Sequence, residues 1–590
     1  VRSRWGVKGG RSRTEDKDRV LLRQHSGLKR ARPKDHLGPL HPPARSHPLA
    51  HPRGMFRHYC LLFLAPLLMA ADASAFFRTN SAAGMAPGKT LPPMPKNPAL
   101  FQVNTRVCIG ELTQKLKRAA TLDDYPDSEL EEIAKNYDVV YFLGVWQTGD
   151  FGIKKSVKLL DIDPCMKGLP KEAACSSPFA ITDYSCHKDF GGDECLARLR
   201  DRVHAKGMRL LVDFVPNHMA VDHPWTKEKP ELLVQGSQNS LNREPQNFFK
   251  VGDKVFAHGK DMYYDGWEDT VQINYGNPAA RREMENILKK IAGLADGVRC
   301  DMAMLMCEDV LEKTWGGRLA PFGQEKAQGQ FWPPAIKGAK ACNDNFIFVA
   351  ECYWDREYEL QQQGFDFCYD KTLYDRLKQG DSQAVIGHLK ADLNYQHKLV
   401  RFLENHDEER AAAEWVDTRM HQAAAVISFT IPGLRFFHDG QQLGRKRRVS
   451  MHVNRRDPLD QDVKDKGIKP MYERLINALK SDAVRDGEWR QCHVTPSNDQ
   501  NPSFTNIVSH VAWKGDDVLL VVVNFSGDGA NGHIILPSAL SFLKGKQCVL
   551  TDYMSDHSIE KDGSTLLGEN NGMWMSLDTW KSHVFKVTVK

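Results

Sequence analysis

Three carboxylates stand where apolar runs of this sequence end. Asp301 and Glu351 each follow a short run of strand-forming residues, and Asp407 ends the stretch Phe402-Leu-Glu-Asn-His-Asp407. Short apolar runs are typical of strands buried in a parallel sheet, and α/β barrels carry their chemistry at the C-terminal edge of such strands. Two carboxyl groups held about 5–5.5 Å apart can break a glycosidic bond with retention of configuration. The sequence therefore predicts a carboxylate site at one barrel edge.

Two further features strengthen this prediction. The stretch Asp213-Phe-Val-Pro-Asn-His218 has the same form, an apolar run with a polar end. Arg299 lies two residues before Asp301, so on a strand both side chains point to one face. A guanidinium in that position is expected to keep Asp301 ionised and to fix its orientation.

The four stretches, taken in order, resemble the signature regions of the α-amylase family, glycoside hydrolase family 13. The family's D-x-V-x-N-H is matched by residues 213–218 and its G-x-R-x-D by residues 297–301. Its strand-ending glutamate is matched by Glu351, and its N-H-D by residues 405–407. The resemblance runs from about Asn97 to the C-terminus. It implies an enzyme that acts on α-glucosidic bonds, with an α-glucan or an oligosaccharide as its substrate.

The resemblance also implies individual roles. Asp301 would be the nucleophile, Glu351 the general acid/base, and Asp407 the carboxylate that holds hydroxyls of the reacting sugar. Neighbouring barrel strands lie about 4.8 Å apart, so Asp301 and Glu351 are expected to flank one anomeric carbon. The residues that the resemblance assigns to sugar binding or to support of the site are Arg299, His218, His406, Phe179, Tyr184 and Asp213.

One departure from the family pattern bears on substrate and metal. Many α-amylases have Lys-His three and four residues after the nucleophile, where this chain has Met304 and Leu305. This change predicts an apolar acceptor side, suited to short oligosaccharides or to transglycosylation. We predict no metal ligand and expect Asn217 to be a hydrogen-bonding residue, with a structural Ca²⁺ as the alternative because hard cations need oxygen ligands.

The alternation of apolar runs and helical patterns predicts a (β/α)8 TIM barrel over residues 98–485, with a short inserted B domain at 219–275 after strand 3. Among its elements we expect a strand over 101–106, a helix over 193–205, a helix that starts at Asn277-Pro278, and a strand over 434–438. After about Asp486 the pattern changes to period two. Residues 486–590 are therefore predicted to form a C-terminal antiparallel β-sandwich.

The first 97 residues read as a leader. Residues 1–54 carry fourteen Lys/Arg against four Asp/Glu, a local charge of +10 within a chain of formal charge +5. We interpret them as non-native or disordered sequence, with a basic arm that binds an acidic partner as the alternative. Residues 55–75 have the n-region, short apolar run and small-residue site of a signal peptide, so no membrane anchor is expected after cleavage. Residues 76–97 resemble a transit-like linker.

From this leader we expect entry into the secretory pathway, followed by secretion or by delivery to a secondary plastid. The remaining chain has a charge balance near −5, which does not indicate nucleic acid as a partner. Four cysteines, at positions 165, 175, 186 and 195, crowd one segment and could form two disulfides in an oxidising compartment. Three others, at 300, 307 and 352, are expected to be small buried hydrophobic residues.

The simplest hypothesis is a monomeric retaining α-glycoside hydrolase that works through a covalent glycosyl-enzyme intermediate. The first alternative is a transglycosylase or isomerase of the same family, of the sucrose or trehalose type, because the intermediate is shared and only the acceptor differs. The second is a catalytically silent member that binds carbohydrate or another protein. Loss of one of the three carboxylates would favour that reading, and all three are present.

Overall fold

The computed structural model describes residues 91–319, 326–458, 460 and 467–590. Its centre is a closed barrel of parallel strands whose spatial order follows the chain, with the last strand hydrogen-bonded to the first. The strands are β1 (Ala99–Asn104), β2 (Val139–Leu143), β3 (Arg209–Phe214), β4 (Gly297–Cys300), β5 (Ile347–Ala350), β6 (Phe367–Tyr369), β7 (Leu399–Arg401) and β8 (Leu434–His438). The predicted (β/α)8 barrel is confirmed.

The leader predicted over residues 1–54 and 55–75, and most of the linker at 76–97, lie outside the described residues. In the part that is described, no helix is long and apolar enough to cross a membrane. The α-helices of the described chain are Thr105–Leu116, Asp127–Ala134, Asp150–Leu159, Gly192–Ala205, Trp225–Glu228, Gln238–Arg243, Pro278–Leu294, Glu308–Trp315, Trp332–Lys340, Glu357–Gln362, Lys371–Gln379, Ser382–His388, Leu393–His397, Ala411–Glu414, Thr418–Thr430, Ile468–Leu479, Asp482–Asp486 and Gly563–Leu566.

The helix before β4, Pro278–Leu294, illustrates how local sequence determines where a helix begins. Asn277 accepts a hydrogen bond from the Ala279 amide, and Pro278 occupies the first helical position, where no backbone donor is needed. Met284, Leu288 and Ile291 form its buried stripe. The helix ends at Leu294 and delivers the chain into β4.

The prediction of a strand over residues 101–106 was wrong at the C-terminal end of the strand. The chain leaves β1 at Asn104, whose side chain accepts from the Val107 amide and begins a helix at Thr105 without any loop. Asparagine is a favoured N-cap because its side-chain oxygen satisfies an amide that has no partner in the helix. The barrel therefore has an abrupt strand-to-helix turn at this position.

Two segments beyond the barrel strands surround its C-terminal edge. After β2 the chain forms an antiparallel pair from Trp146–Thr148 and Ile181–Cys186. After β3, His218–Ala220 pairs with Thr270–Gln272, and a small sheet forms from Gln235–Gly236, Phe248–Val251 and Lys254–Ala257. This second segment is the predicted insertion.

The chain after residue 487 folds into two antiparallel sheets with their own apolar core. The larger contains Glu488–Gln491, Ile507–Lys514, Asp517–Asn524, Gln547–Asp552, Ser558–Asp562 and Ser582–Val589, and the smaller contains His493–Pro496, Ala530–Ile535 and Met573–Leu577.

The segment after β2 is joined to the segment after β8. The Cys175 amide donates to the His452 carbonyl oxygen at 2.8 Å, and the Asn454 amide donates to the Ala173 carbonyl oxygen at 2.9 Å. A small apolar cluster that includes Met166 covers this junction. The thiols of Cys165, Cys175, Cys186 and Cys195 are all free, so neither of the two disulfides considered above is formed.

A buried ion pair links the segment after β2 to the inserted segment. Lys155 Nζ lies 2.8 Å from Asp269 Oδ1, and the two side chains are 9% and 5% exposed. Breaking such a pair from one side leaves an uncompensated charge in the interior. This contact is therefore expected to matter for stability more than an exposed pair does.

We expect Lys155→Met to lower the free energy of unfolding by about 3–5 kcal/mol, because Asp269 would stay buried without its cation. Urea denaturation measures the loss. The matched control is Lys135→Met, which removes the largely exposed pair with Glu132 and should change the midpoint little. Equal effects of the two substitutions would contradict this assignment.

One buried arginine of β8 donates hydrogen bonds to the backbone of three other residues. Arg435 donates from Nε to the Phe429 carbonyl oxygen, from Nη1 to that of Asn97, and from Nη2 to that of Val484. Buried polar groups need such partners, because an unsatisfied one carries a desolvation penalty. Three separate segments of the chain thus meet at this guanidinium.

Candidate active site

The register of β4 and β5 brings the first two carboxylates together. Cys300 lies opposite Ala350 in the parallel ladder, so Asp301 and Glu351 are the next residues on adjacent strands. Both side chains are buried at the C-terminal edge of the barrel. The sequence prediction placed them on neighbouring strands, and the structure has them there.

Arg299 contacts both of these carboxylates. Its Nη1 donates to Asp301 Oδ1 at 2.7 Å, and its Nη2 lies 2.7 Å from Glu351 Oε2. The same nitrogen is 3.9 Å from Asp407 Oδ2. Because one guanidinium reaches all three groups, the three predicted carboxylates face a common space.

Glu351 has a different environment from Asp301. Its Oε2 accepts from the Met302 amide at 2.7 Å, and its Oε1 lies 2.8 Å from the Tyr353 hydroxyl. Burial raises the pKa of Glu351 to about 8, against the lowering effect of Arg299, and the charges of Asp301 and Asp407 raise it further. At neutral pH this carboxyl is therefore mainly protonated.

Tyr353 was missed by the sequence analysis, although a signal for it existed. It lies two residues after Glu351, and side chains two apart on an extended segment share a face. Met302 was missed as well, since its contribution is a backbone amide. Its φ of 42° is in the left-handed region, which is rare for a residue other than glycine, and its own amide donates to Glu351 Oε2.

Met304 and Leu305 do not form an apolar acceptor side, and that expectation is corrected. Both side chains are buried in the main hydrophobic core, where they pack beneath the edge of the barrel. The chain turns into a short 3₁₀ helix over Ala303–Met306 right after Met302, and this turn directs it inward. Any apolar surface on that side must come from other residues.

A tight turn presents Asp407. Asn405 Oδ1 accepts from the Asp407 amide and the Glu408 amide, both at 2.9 Å, which fixes the loop after β7. The Asp407 side chain keeps 29% of its surface exposed, more than Asp301 or Glu351. Its carboxylate therefore faces open space at the site. The next residue, Glu408, is paired with Lys371, whose Nζ lies 3.4 Å from Glu408 Oε1.

His406 lies next to Asp407 as a neutral ring. Its Nε2 is 3.1 Å from Asp407 Oδ2, and burial lowers the pKa of the imidazole to about 3. Gln102 on β1 contacts Nδ1 at 3.2 Å through its amide nitrogen, which can only donate. Gln102 was missed, though a buried amide in an apolar strand was a signal for it.

Phe179 closes one side of the same space. Its ring centroid is 5.3 Å from that of His406, and the Arg299 guanidinium carbon is 5.3 Å from its centroid. The Phe179 carbonyl hydrogen-bonds the His218 imidazole, and burial lowers the pKa of that histidine. Phe179, His218 and His406 are thus brought together with the carboxylates.

Asp213 and Tyr184 form hydrogen bonds to the backbone that surrounds the site. Asp213 is adjacent to Arg299 in the ladder, but its oxygens accept from the Tyr141 hydroxyl and from the Gly144 amide, which anchor the segment after β2. Burial raises its pKa to about 6. The Tyr184 hydroxyl is committed to the backbone of Val215, donating to the carbonyl at 3.1 Å and accepting from the amide at 2.8 Å.

Asn217 is a hydrogen-bonding residue in this structure. Asn217 Oδ1, the oxygen that a cation would need, accepts from Gln272 Nε2 at 3.0 Å. Asp269, a nearby carboxylate of the inserted segment, is paired with the Lys155 ammonium. Across residues 91–319, 326–458, 460 and 467–590, no group of three or more His, Cys, Asp or Glu side chains is placed to hold a metal ion.

Similarity to known proteins agrees with this geometry. The family model of the alpha amylase catalytic domain matches residues 171–513, which is more than half of the chain and includes Phe179, Asp301, Glu351 and Asp407. The chain is also similar in structure to a noncanonic maltogenic alpha-amylase, AmyB, from Thermotoga neapolitana. That match has a TM-score of 0.59 and 19% identity, and covers 84% of this chain and 99% of the other.

Two relatives by sequence carry different activities in their names. Alpha-amylase MalA of Haloarcula japonica is 25% identical over 361 residues, 59% of this chain and 48% of that protein. A cyclomaltodextrin glucanotransferase of Paenibacillus macerans is 24% identical over 352 residues, 58% of this chain and 45% of that protein. The chain thus spans about half the length of these relatives. With the closed barrel, the clustered carboxylates and the match across residues 171–513, we conclude that this chain belongs to the α-amylase family of glycoside hydrolases.

Proposed function

We propose that this enzyme is a retaining α-glycoside hydrolase acting on α-glucans or α-glucosyl oligosaccharides through a covalent glycosyl-enzyme intermediate. The observation that carries the proposal is the contact of one guanidinium, that of Arg299, with both Asp301 and Glu351 at 2.7 Å. Two carboxyl groups held near each other by one guanidinium are the arrangement expected of retaining enzymes, in which the pair lies about 5–5.5 Å apart.

In this proposal Asp301 is the nucleophile and Glu351 is the proton donor. Arg299 holds Asp301 Oδ1, so the attacking atom in this proposal is Oδ2. Glu351 is the proton donor because burial raises its pKa to about 8. Its Oε2 accepts from the Met302 amide and its Oε1 accepts from the Tyr353 hydroxyl, so these two contacts hold the carboxyl in one orientation.

The reaction then proceeds in two displacements. Asp301 forms a bond to the anomeric carbon as the glycosidic C–O bond breaks, and Glu351 gives its proton to the departing oxygen. Next, the ionised Glu351 takes a proton from water, whose oxygen bonds to the anomeric carbon and displaces Asp301. Asp407 and His406 would hold hydroxyls of the same sugar, which stabilises the flattened transition state.

Product analysis tests the proposal. The purified protein, incubated with maltooligosaccharides, should release reducing sugar whose new anomeric centre is initially α by NMR. Longer or rearranged products in place of free sugar would instead support the transferase alternative. Inactivity on α-glucans, maltooligosaccharides, sucrose and trehalose would contradict the hydrolase.

The pH dependence of the reaction follows from Glu351. The acid must be protonated in the free enzyme, and its pKa is raised to about 8, so kcat/KM on maltooligosaccharides should fall about tenfold per pH unit above that value. We expect the basic limb near pH 8 in a profile of kcat/KM. A basic limb below pH 6 would show that another group acts as the acid.

A further inference from the structure

The turn that carries Asp407 begins and ends at a buried ion pair. Glu404 lies three residues before Asp407 and Arg410 lies three residues after it, and the side chains of the pair are 0% and 1% exposed. Arg410 Nη1 donates to Glu404 Oε1 at 2.5 Å, and the Ala411 amide donates to Glu404 Oε2 at 2.7 Å. Both carboxylate oxygens of Glu404 are therefore bound to the far end of the turn.

Glu404 carries its charge inside the protein. Burial acts to raise the pKa of Glu404, but the Arg410 charge and the hydrogen bonds from His438 and the Ala411 amide hold that pKa below its ordinary value. His438 lies at the end of β8, and its Nδ1 is 3.0 Å from Glu404 Oε1. Glu404 is therefore ionised at neutral pH and pairs with Arg410 as a carboxylate.

Arg410 also connects the turn to the segment after β8. Its Nη1 donates to the Asp439 carbonyl oxygen at 2.8 Å, and its Nε donates to the Arg447 carbonyl oxygen at 3.2 Å. On the other side, Glu408 of the same turn is paired with Lys371 of the helix after β6. The turn is therefore anchored to the segments that follow both neighbouring strands.

Two sets of hydrogen bonds thus enclose Asp407. In the inner set, Asn405 Oδ1 accepts from the Asp407 and Glu408 amides. The outer set is the contact of Glu404 with Arg410 and with the backbone beyond it. Because the Asp407 side chain is 29% exposed, its position depends on the backbone of the turn more than on its own burial.

Stability alone does not account for the pair. The desolvation of two buried charges offsets most of their attraction, and apolar groups of similar volume are often as stabilising in such a place. An ion pair differs from apolar packing in its direction, because a carboxylate that is bound through both oxygens is held in one orientation.

We propose that Glu404 and Arg410 are positioning residues, which hold the turn so that Asp407 reaches the hydroxyls of the attacked sugar. This inference rests on the proposed function, in which Asp407 binds those hydroxyls. Neither residue of the pair has to touch the substrate. Their effect on the reaction should therefore appear only where Asp407 itself contributes.

The test compares α-glucosyl fluoride with its 2-deoxy analogue, which lacks one of those hydroxyls. Hydrogen bonds to the 2-hydroxyl strengthen in the transition state. Glu404→Gln and Arg410→Met should therefore lower kcat/KM on α-glucosyl fluoride about 10–100-fold, mainly through kcat, and on the 2-deoxy fluoride less than about threefold. The intrinsic reactivity of each fluoride is the same for every variant, so the ratio of the two rates reports on this contact. Asp407→Asn should lower the ratio at least as much.

A double variant separates positioning from stability. Each single substitution leaves one member of the pair buried without its partner, so it should lower the midpoint of urea denaturation. Glu404→Gln combined with Arg410→Met removes both charges, and its midpoint should lie closer to that of the wild type than either single variant does. Its rate ratio should nevertheless stay low, because methionine cannot hold the turn through directed hydrogen bonds.

The matched control is Asp138→Asn. Asp138 likewise binds an arginine, Arg485 at 2.7 Å, and a backbone amide, that of Ala99 at 2.9 Å, but it lies just before the first residue of β2. This substitution should lower the midpoint and leave the rate ratio unchanged. Equal losses on the two fluorides in Glu404→Gln, or a wild-type ratio in the double variant, would overturn the positioning role and leave the hydrolase intact.

Two further results would reach beyond the pair. A wild-type ratio in Asp407→Asn would overturn the role given to Asp407, and the positioning by Glu404 and Arg410 with it. A wild-type enzyme that cleaves neither fluoride would overturn the proposed function itself.

Discussion

Asp301→Asn should reduce turnover by about 10⁴-fold or more on every α-glucoside, the scale of loss seen when a covalent nucleophile is removed. Asparagine keeps the shape of aspartate, and its amide oxygen can still accept from Arg299 Nη1. The chain should therefore fold normally while the negative charge that attacks the anomeric carbon is lost. Single-turnover assays on maltopentaose and on α-glucosyl fluoride measure the effect.

The matched control for this variant is Asp138→Asn. Asp138 is paired with Arg485 at 2.7 Å at the opposite end of the barrel, so it loses a comparable charge far from the carboxylates. We expect it to retain turnover. Asp301→Asn should also lower the pKa of Glu351, because the Asp301 charge raises it. More than about 1% residual activity in a correctly folded Asp301→Asn enzyme would exclude this residue as nucleophile.

Glu351→Gln should have an effect that depends on the leaving group. Glutamine can accept from the Met302 amide as glutamate does, but it has no acidic hydrogen to give. Loss of general acid catalysis is expected to cost about 10²–10⁴-fold on maltopentaose, whose sugar oxygen needs a proton to depart. Fluoride departs more easily without one, so the loss on α-glucosyl fluoride should be much smaller.

Tyr353→Phe serves as the control for the Glu351 variant. It removes the hydroxyl at 2.8 Å from Glu351 Oε1 but leaves the acid in place. We expect a modest loss that is similar for the two substrates, together with a shift of the basic limb of the pH profile. If Glu351→Gln slowed both substrates to the same extent, Glu351 would not be the proton donor.

Many helices and strands of this protein could be predicted because the sequence signals that determine them are local. The strand Leu434–His438 and the helix that begins after Asn277 appear as expected, since apolar periodicity and cap residues act within a few positions. The positions of the site carboxylates could be predicted from the same local patterns. Once Asp301 and Glu351 each ended a buried strand, the parallel ladder was enough to make them neighbours.

What could not be predicted depends on contacts between distant segments. Met304 and Leu305 read as a change of specificity, yet only the packed structure shows that they are core residues. The Tyr184 hydroxyl is taken by the Val215 backbone, a partner 31 positions away. Tyr263 and Trp354 meet across two parts of the chain that no periodic pattern connects. Sequence patterns indicate which face of a helix or strand a residue occupies. They do not indicate which residues of a distant segment pack against that face.

The guanidinium of Arg435 has a consequence for the order in which the nascent protein matures. Its acceptors belong to Asn97, Phe429 and Val484, so no N-terminal fragment that stops before Val484 contains all of them. The chain must therefore be synthesised through Val484 before this guanidinium has all three of its acceptors. Before β8 is made, the edge of β1 that pairs with it remains open to association with other chains, which gives chaperones an interval in which to act.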